Sequence, residues 1–142
     1  MYKDLDRFIE AQNKSYETAL AEVRSGRKHS HWLWYIFPQL KGLGYSQTAK
    51  YYAIEDLAEA TAYLQHSILG KNLVRISKAL FELERKTAHE IFGTPDDLKL
   101  RSSMTLFAQV RDTHPIFRRI IDKYFDGKPD PVTLEQLETD SG

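Results

Sequence analysis

Two stretches concentrate the groups that could do chemistry. The first is His29-Ser30-His31-Trp32-Leu33-Trp34-Tyr35-Ile36-Phe37-Pro38-Gln39. On an extended backbone His29 and His31 would share one side, a spacing suited to metal ligation or paired acid–base work. No third ligand lies nearby in the sequence, so no metal is assigned. Indole and phenol faces can also stack on planar ligands such as nucleobases or nicotinamide. The plainer reading puts Trp32, Tyr35, Ile36 and Phe37 in the core, with the histidines satisfying local backbone groups.

The second stretch is Asp96-Asp97-Leu98-Lys99-Leu100-Arg101-Ser102-Ser103-Met104-Thr105-Leu106-Phe107. Leu100, Met104 and Phe107 line one helical face, and Leu98 and Leu106 extend the apolar character around it. Such a helix belongs at the centre of a domain, yet it carries Lys99, Arg101, Ser102, Ser103 and Thr105. Buried polar groups need partners. Either these side chains form an internal network, or they face a ligand, with Arg101 clamping a phosphate or carboxylate through its fork.

Other candidates are weaker. His89 and Glu90 are neighbours, and neighbours on a helix diverge. His66 and His114 read as cap or turn residues. Arg27-Lys28 and Arg118-Arg119 read as solvated basic spots. The sequence has no Gly-rich phosphate loop, nucleophile elbow or zinc-helix motif.

The elements that must position these groups read as helices. Residues 4–25 carry apolar residues at helical spacing, with Asn13 a candidate break and Gly26 a C-cap. Pro38 should stop whatever element the aromatic run forms, strand or short buried helix. Ser46 caps a short helix to Ile54, and Asp56 with Glu59 starts another to about Gln65. Leu73, Ile76, Leu80 and Leu83 define a further helix, and Thr87–Phe92 a short turn closed by Gly93. Thr94 as cap with Pro95 at the first helical position should open a helix to about Val110. The pattern after Pro115 gives a helix ending at Gly127, and Leu134 and Leu137 mark a last short one. The expected fold is an all-α compact single domain of about six to eight short helices around a central helix near 95–110. Its core should span about residues 4–126, with 127–142 a partly frayed extension.

Composition agrees. The 142 residues are 42% apolar and 12% aromatic, which suits one folded core rather than disorder. Twenty basic and twenty acidic residues give zero formal charge, so no global field gathers nucleic acid or anionic membrane. Nucleic acid is therefore the least favoured partner. Without cysteine there is no disulfide frame and no thiolate nucleophile. The longest apolar run, Trp32 to Pro38, is too short to span a bilayer. Met1-Tyr2-Lys3-Asp4 opens no signal peptide, so a cytoplasmic location is expected. No cofactor is implied.

The run Ser30-His31-Trp32-Leu33-Trp34-Tyr35-Ile36-Phe37-Pro38-Gln39-Leu40-Lys41-Gly42-Leu43-Gly44 resembles one signature of the bacterial family catalogued as domain of unknown function 1810. So do Ala53-Ile54, Tyr63-Leu64 and Leu69-Gly70, and Ile91 to Phe107 resembles that family's other signature. The resemblance runs from about Asp4 to Phe125 and implies a mainly helical single domain. It implies no activity and no catalytic residues. Some members are labelled calpastatin, a disordered inhibitor, which this composition does not fit.

Three readings follow. In the leading one the two stretches meet around a hollow that takes a small anionic or nucleotide-like ligand, as a binding domain or an enzyme. Trp32 or Trp34 would stack, Lys99 and Arg101 would hold negative charge, and His31 would pass a proton. Gln39, Asp97, Ser102 and Ser103 would complete the hydrogen bonding. In the second, the aromatic segment is an anchor for a partner or for self-association. In the third, both stretches form one buried network that specifies the fold.

Overall fold

The structure, a computed structural model, describes the backbone of residues 5–141 and the side chains of residues 5–139. The leader Met1-Tyr2-Lys3-Asp4 lies outside the described residues. Among them are nine α-helices: α1 (Asp6–Ser25), α2 (Leu33–Ile36), α3 (Gln47–Tyr52), α4 (Leu57–Gln65), α5 (Leu69–Glu82), α6 (Ala88–Phe92), α7 (Asp96–Ala108), α8 (Ile116–Tyr124) and α9 (Pro131–Ser141). The all-α expectation holds, although the helices outnumber the six to eight expected. No strand occurs among the described residues. One isolated parallel bridge joins Leu40 to Ile54, with Ile54 N donating to Gln39 O at 2.9 Å.

Local chemistry sets many of the boundaries. Ser46 Oγ accepts from Ala49 N, and Asp56 Oδ1 from Glu59 N, each capping a helix start. Thr87 and Glu90 close a reciprocal capping box on α6. Gly26 ends α1 at φ 84°, the left-handed conformation glycine adopts without penalty.

Two expectations need correction, and one open choice is settled. Asn13 does not break α1, because Gln12 and Tyr16 on either side of it are buried and tie the helix down. Gln12 Nε2 donates to Tyr35 O at 2.8 Å, and Tyr16 OH donates to Asn72 O at 2.9 Å. Of the two forms left open for the aromatic run, strand or short buried helix, it takes the helical one, a single turn that stops at Phe37 ahead of Pro38 as expected. Finally, Thr94 does not cap α7. Its hydroxyl lies 2.9 Å from His89 Nδ1, Pro95 occupies the cap position, and α7 ends at Ala108, short of Val110.

α7 is the centre. Leu100, Ser102, Ser103, Met104, Thr105, Leu106 and Phe107 are buried, so nearly its whole circumference is covered. It packs against α2, α4, α6, α8 and α9. α5 packs against α1, α4 and α8 on the other side of the core. A Cβ on Gly70 would lie 2.0 Å from the carbonyl oxygen of Leu64, so glycine lets α5 press against the end of α4. Arg7 on α1, nearly inaccessible, pairs with fully buried Glu59 on α4 at 3.3 Å and also donates to Tyr51 O and Ala53 O at 2.9 Å. A buried charge pair survives only with its remaining donors satisfied, and those two carbonyls satisfy them.

Candidate functional site

The two signature stretches do meet. Lys28 N donates to Ile91 O at 2.7 Å, and Lys28 Nζ reaches Asp96 Oδ2 at 2.9 Å. The Trp32 ring stands edge-on to Phe92 at 6.3 Å, and Phe37 stands edge-on to Phe92 at 6.1 Å. The meeting is a packed aromatic core rather than a hollow. Trp32 is 1% exposed, so it has no face to offer a ligand.

The expected site residues have separate tasks. His31 and His29 are exposed, and neither imidazole has a partner among the described residues. No group of three His, Cys, Asp or Glu that could hold a metal occurs among the described residues. Trp34 and Gln39 line a cavity of about 10 Å³, room for about one water. Asp97 Oδ1 accepts from Leu98 N at 2.9 Å, and its other oxygen lies 3.7 Å from His89 Nδ1. Lys99 Nζ lies 3.9 Å from Asp96.

Arg101 spends its fork on the C-terminal segment, with Nε donating to Lys128 O at 2.8 Å and Nη2 to Pro129 O at 2.9 Å. Ser102 Oγ donates to Asp130 Oδ2 at 2.8 Å, and Thr105 Oγ1 accepts from Asp130 N at 2.8 Å. The polar face of α7 therefore fastens the chain after Gly127. Thr133 is fully buried and Leu137 packs on the core, so the extension is anchored well past residue 127. Ser103 is buried without a hydrogen-bond partner. Of the residues expected around one ligand, Arg101 is bonded to the C-terminal segment and Lys99 lies near Asp96, and His31, Lys99 and Arg101 line neither the Trp34 cavity nor the grooves beside α4 and α5.

Glu22, on α1, explains the order of residues 28–32. Its carboxylate accepts from His29 N at 2.6 Å, Ser30 N at 2.9 Å, Ser30 Oγ at 2.6 Å and Trp32 Nε1 at 3.0 Å. Burial pushes this carboxyl up, but the hydrogen bonds from Ser30, His29 and Trp32 outweigh it and hold the group at about 2.

Hollows lie elsewhere. One groove, about 480 Å³, runs between Leu57 and Ala58 of α4 and Leu134 and Leu137 of α9. Its ionisable groups are Asp56 and Glu138, which repel an anion. A second, about 270 Å³, opens between α4, α5 and the turn after α7. Leu64, Val74, Val110 and Phe117 give it apolar walls, and Thr61, Gln65, Arg111, Asp112, Thr113 and His114 give it polar groups. Asp112 sits at φ 59°, a left-handed conformation that Asp tolerates better than most residues. Thr113 Oγ1 donates to Phe107 O at 2.8 Å and anchors the turn to α7.

His114 caps α8, with Nδ1 accepting from Ile116 N at 3.0 Å. The neutral ring therefore carries its proton on Nε2. Burial, then the nearby charges of Lys78 and Arg119, hold this imidazole below its ordinary value. Arg111 is exposed and makes no side-chain hydrogen bond or ion pair among the described residues.

Sequence reading found His114 as a turn residue but missed the groove around it. The signal was the polar quartet Arg111-Asp112-Thr113-His114 between Val110 and Ile116. Helix packing that brings α4 and α5 beside it is not written locally.

The helical single domain and its two signature stretches place the chain in a family. It belongs to the family described as "Protein of unknown function (DUF1810)", whose model matches residues 2–137. Its fold is similar to the crystal structure of the conserved hypothetical protein Rv1873 from Mycobacterium tuberculosis, solved at 1.38 Å. The two chains are 46% identical with a TM-score of 0.93, over 95% of this chain and 96% of that one. No curated protein matches. No helix among the described residues is long and apolar enough to cross a membrane.

Proposed function

We propose that this domain binds a compact anionic small molecule in the groove between α4, α5 and the turn at residues 110–114. The observation that carries the reading is the pairing of an uncommitted guanidinium, Arg111, with the imidazole of His114 over one apolar-walled hollow. Polar groups converging on an apolar concavity are the usual make-up of a small-ligand site. Arg111 supplies a planar fork for a carboxylate or phosphate. Neutral His114 presents Nε2–H as a donor, which adds a hydrogen bond without relying on ring protonation. Asp112 on the same groove accepts a donor, so the ligand carries a hydroxyl, amine or amide besides its anionic group. The volume of about 270 Å³ suits a ligand at the small end of the usual range.

Isothermal titration with inorganic phosphate, citrate and AMP tests the reading. At least one should bind, and Arg111→Gln should weaken it by about ten-fold or more, the loss of a charge-assisted hydrogen-bond pair. Arg111 is exposed and unpaired, so the variant should keep its fold. Absence of binding by all three, or binding indifferent to Arg111→Gln, rejects the groove as the site.

A further inference from the structure

Beside the groove, and sharing Leu64 and Val74 with it, runs a shallower trough of about 440 Å³ along α5. Its floor is apolar, formed by Leu64, Gly70 and Val74, and its rim carries Lys71, Arg75 and Lys78. The three cations stand at i, i+4 and i+7 of one helix, which puts them on a single face. α5 has no acidic residue before Glu82, its last. The acidic neighbour among the described residues is Glu17 of α1, whose carboxylate lies 3.7 Å from Arg75 in an exposed pair worth little. At the groove end, Lys78 is close enough to bias the charge of His114. Cationic side chains thus run from Arg111, past Lys78, to Arg75 and Lys71, with neutral His114 among them as a hydrogen-bond donor and Asp112 as the groove's one carboxylate.

We propose that the trough extends the ligand site into a phosphate track, so that the domain takes an organic diphosphate. The inference rests on the groove reading above and names its substrate class. The uncharged, hydroxyl-bearing body sits in the groove against Asp112 and the apolar walls. The first phosphate meets Arg111 and His114, and the second lies along Lys78, Arg75 and Lys71. Length selects this class over a nucleic acid strand. From residue 71 to 78 a helix rises about 10 Å, enough to offer a terminal phosphate several cations but short of the run of nucleotides that a strand-binding groove tracks. The formally neutral chain also lacks the extended basic face that a polyanion needs.

Calorimetric titration with AMP, ADP and a ten-residue oligothymidylate separates the outcomes, using the wild-type chain and the double variant Lys71→Gln/Arg75→Gln. Both positions are exposed, so the variant should fold as the wild type does, which circular dichroism checks. ADP should bind about ten-fold or more tighter than AMP at low salt, with the advantage shrinking as ionic strength rises. The double variant should erase the difference between the two nucleotides. Equal affinity for AMP and ADP in the wild type overturns the phosphate track and leaves the groove reading intact. So does an ADP preference that survives the double variant. Oligothymidylate binding tighter than ADP overturns it in favour of a nucleic-acid track. Failure of every probe to bind removes the groove reading and the track together.

Discussion

At the scale of single residues, Glu22 shows how one carboxylate organises a segment without forming an ion pair. Its two oxygens collect two backbone N–H groups, a hydroxyl and an indole N–H from residues 29–32. That arrangement positions Trp32 in the core and leaves His29 and His31 outside. The carboxyl is held at about 2 in the fold and returns to its ordinary value, near 4.5, on unfolding. Because the folded value is the lower one, its contribution is complete above about pH 4.5 and is lost as pH falls toward about 2. Glu22→Gln should therefore be less stable than wild type at pH 7, by about 1–3 kcal/mol for the donors it leaves short. Urea unfolding between pH 6 and 2.5 should show wild type losing its advantage as pH falls. Parallel stability curves for the two proteins would refute this role.

Among elements, the join of α1 to α4 rests on a buried charge pair. Arg7 and Glu59 are 4% and 0% exposed at their side chains, and Glu59 also accepts from Glu55 N at 2.7 Å. Removing Arg7 would leave a carboxylate in the interior and two carbonyls, of Tyr51 and Ala53, without that donor. Arg7→Leu should cost about 3–5 kcal/mol of stability. Adding Glu59→Leu should recover part of the loss, since an apolar pair leaves no orphaned charge. A single-variant cost below about 1 kcal/mol in denaturant unfolding contradicts the assignment.

Element boundaries were legible wherever local chemistry sets them. Ser46, Asp56, Thr87 and Gly26 act as the caps their types suggest, and Pro38 ends the aromatic turn. His66 Nδ1 accepts from Ile68 N and Leu69 N, and His114 Nδ1 from Ile116 N, as turn histidines do. What was not legible depends on distant partners. Arg101 could be a phosphate clamp or a structural tie on sequence alone. The carbonyls that decide it, of Lys128 and Pro129, lie 27 and 28 residues away. Asn13 likewise looks like a break until the burial of Gln12 and Tyr16 is known.

At the scale of the whole molecule, the packing separates two jobs that the sequence seemed to merge. The signature stretches build the centre: an aromatic cluster of Trp32, Phe37 and Phe92, and a helix whose polar face ties down the C-terminal segment. The proposed ligand groove lies on a face those stretches support from behind. Phe117 of α8 closes the floor of the groove and itself packs on Phe107 of α7, with ring centroids 5.9 Å apart. The basic residues that give this face its sign are spread over α5 and the turn after α7. Each is unremarkable beside its own chain neighbours, and a zero net charge hides their convergence.

The decisive property of the molecule is where an anion sits on it. Backbone amide chemical-shift mapping during titration with AMP reads that directly. The largest changes should fall on Thr61, Gln65, Val74 and residues 110–114. Changes centred instead on His31, Trp34, Lys99 and Arg101, or none with AMP, citrate and phosphate alike at millimolar concentration, would contradict it.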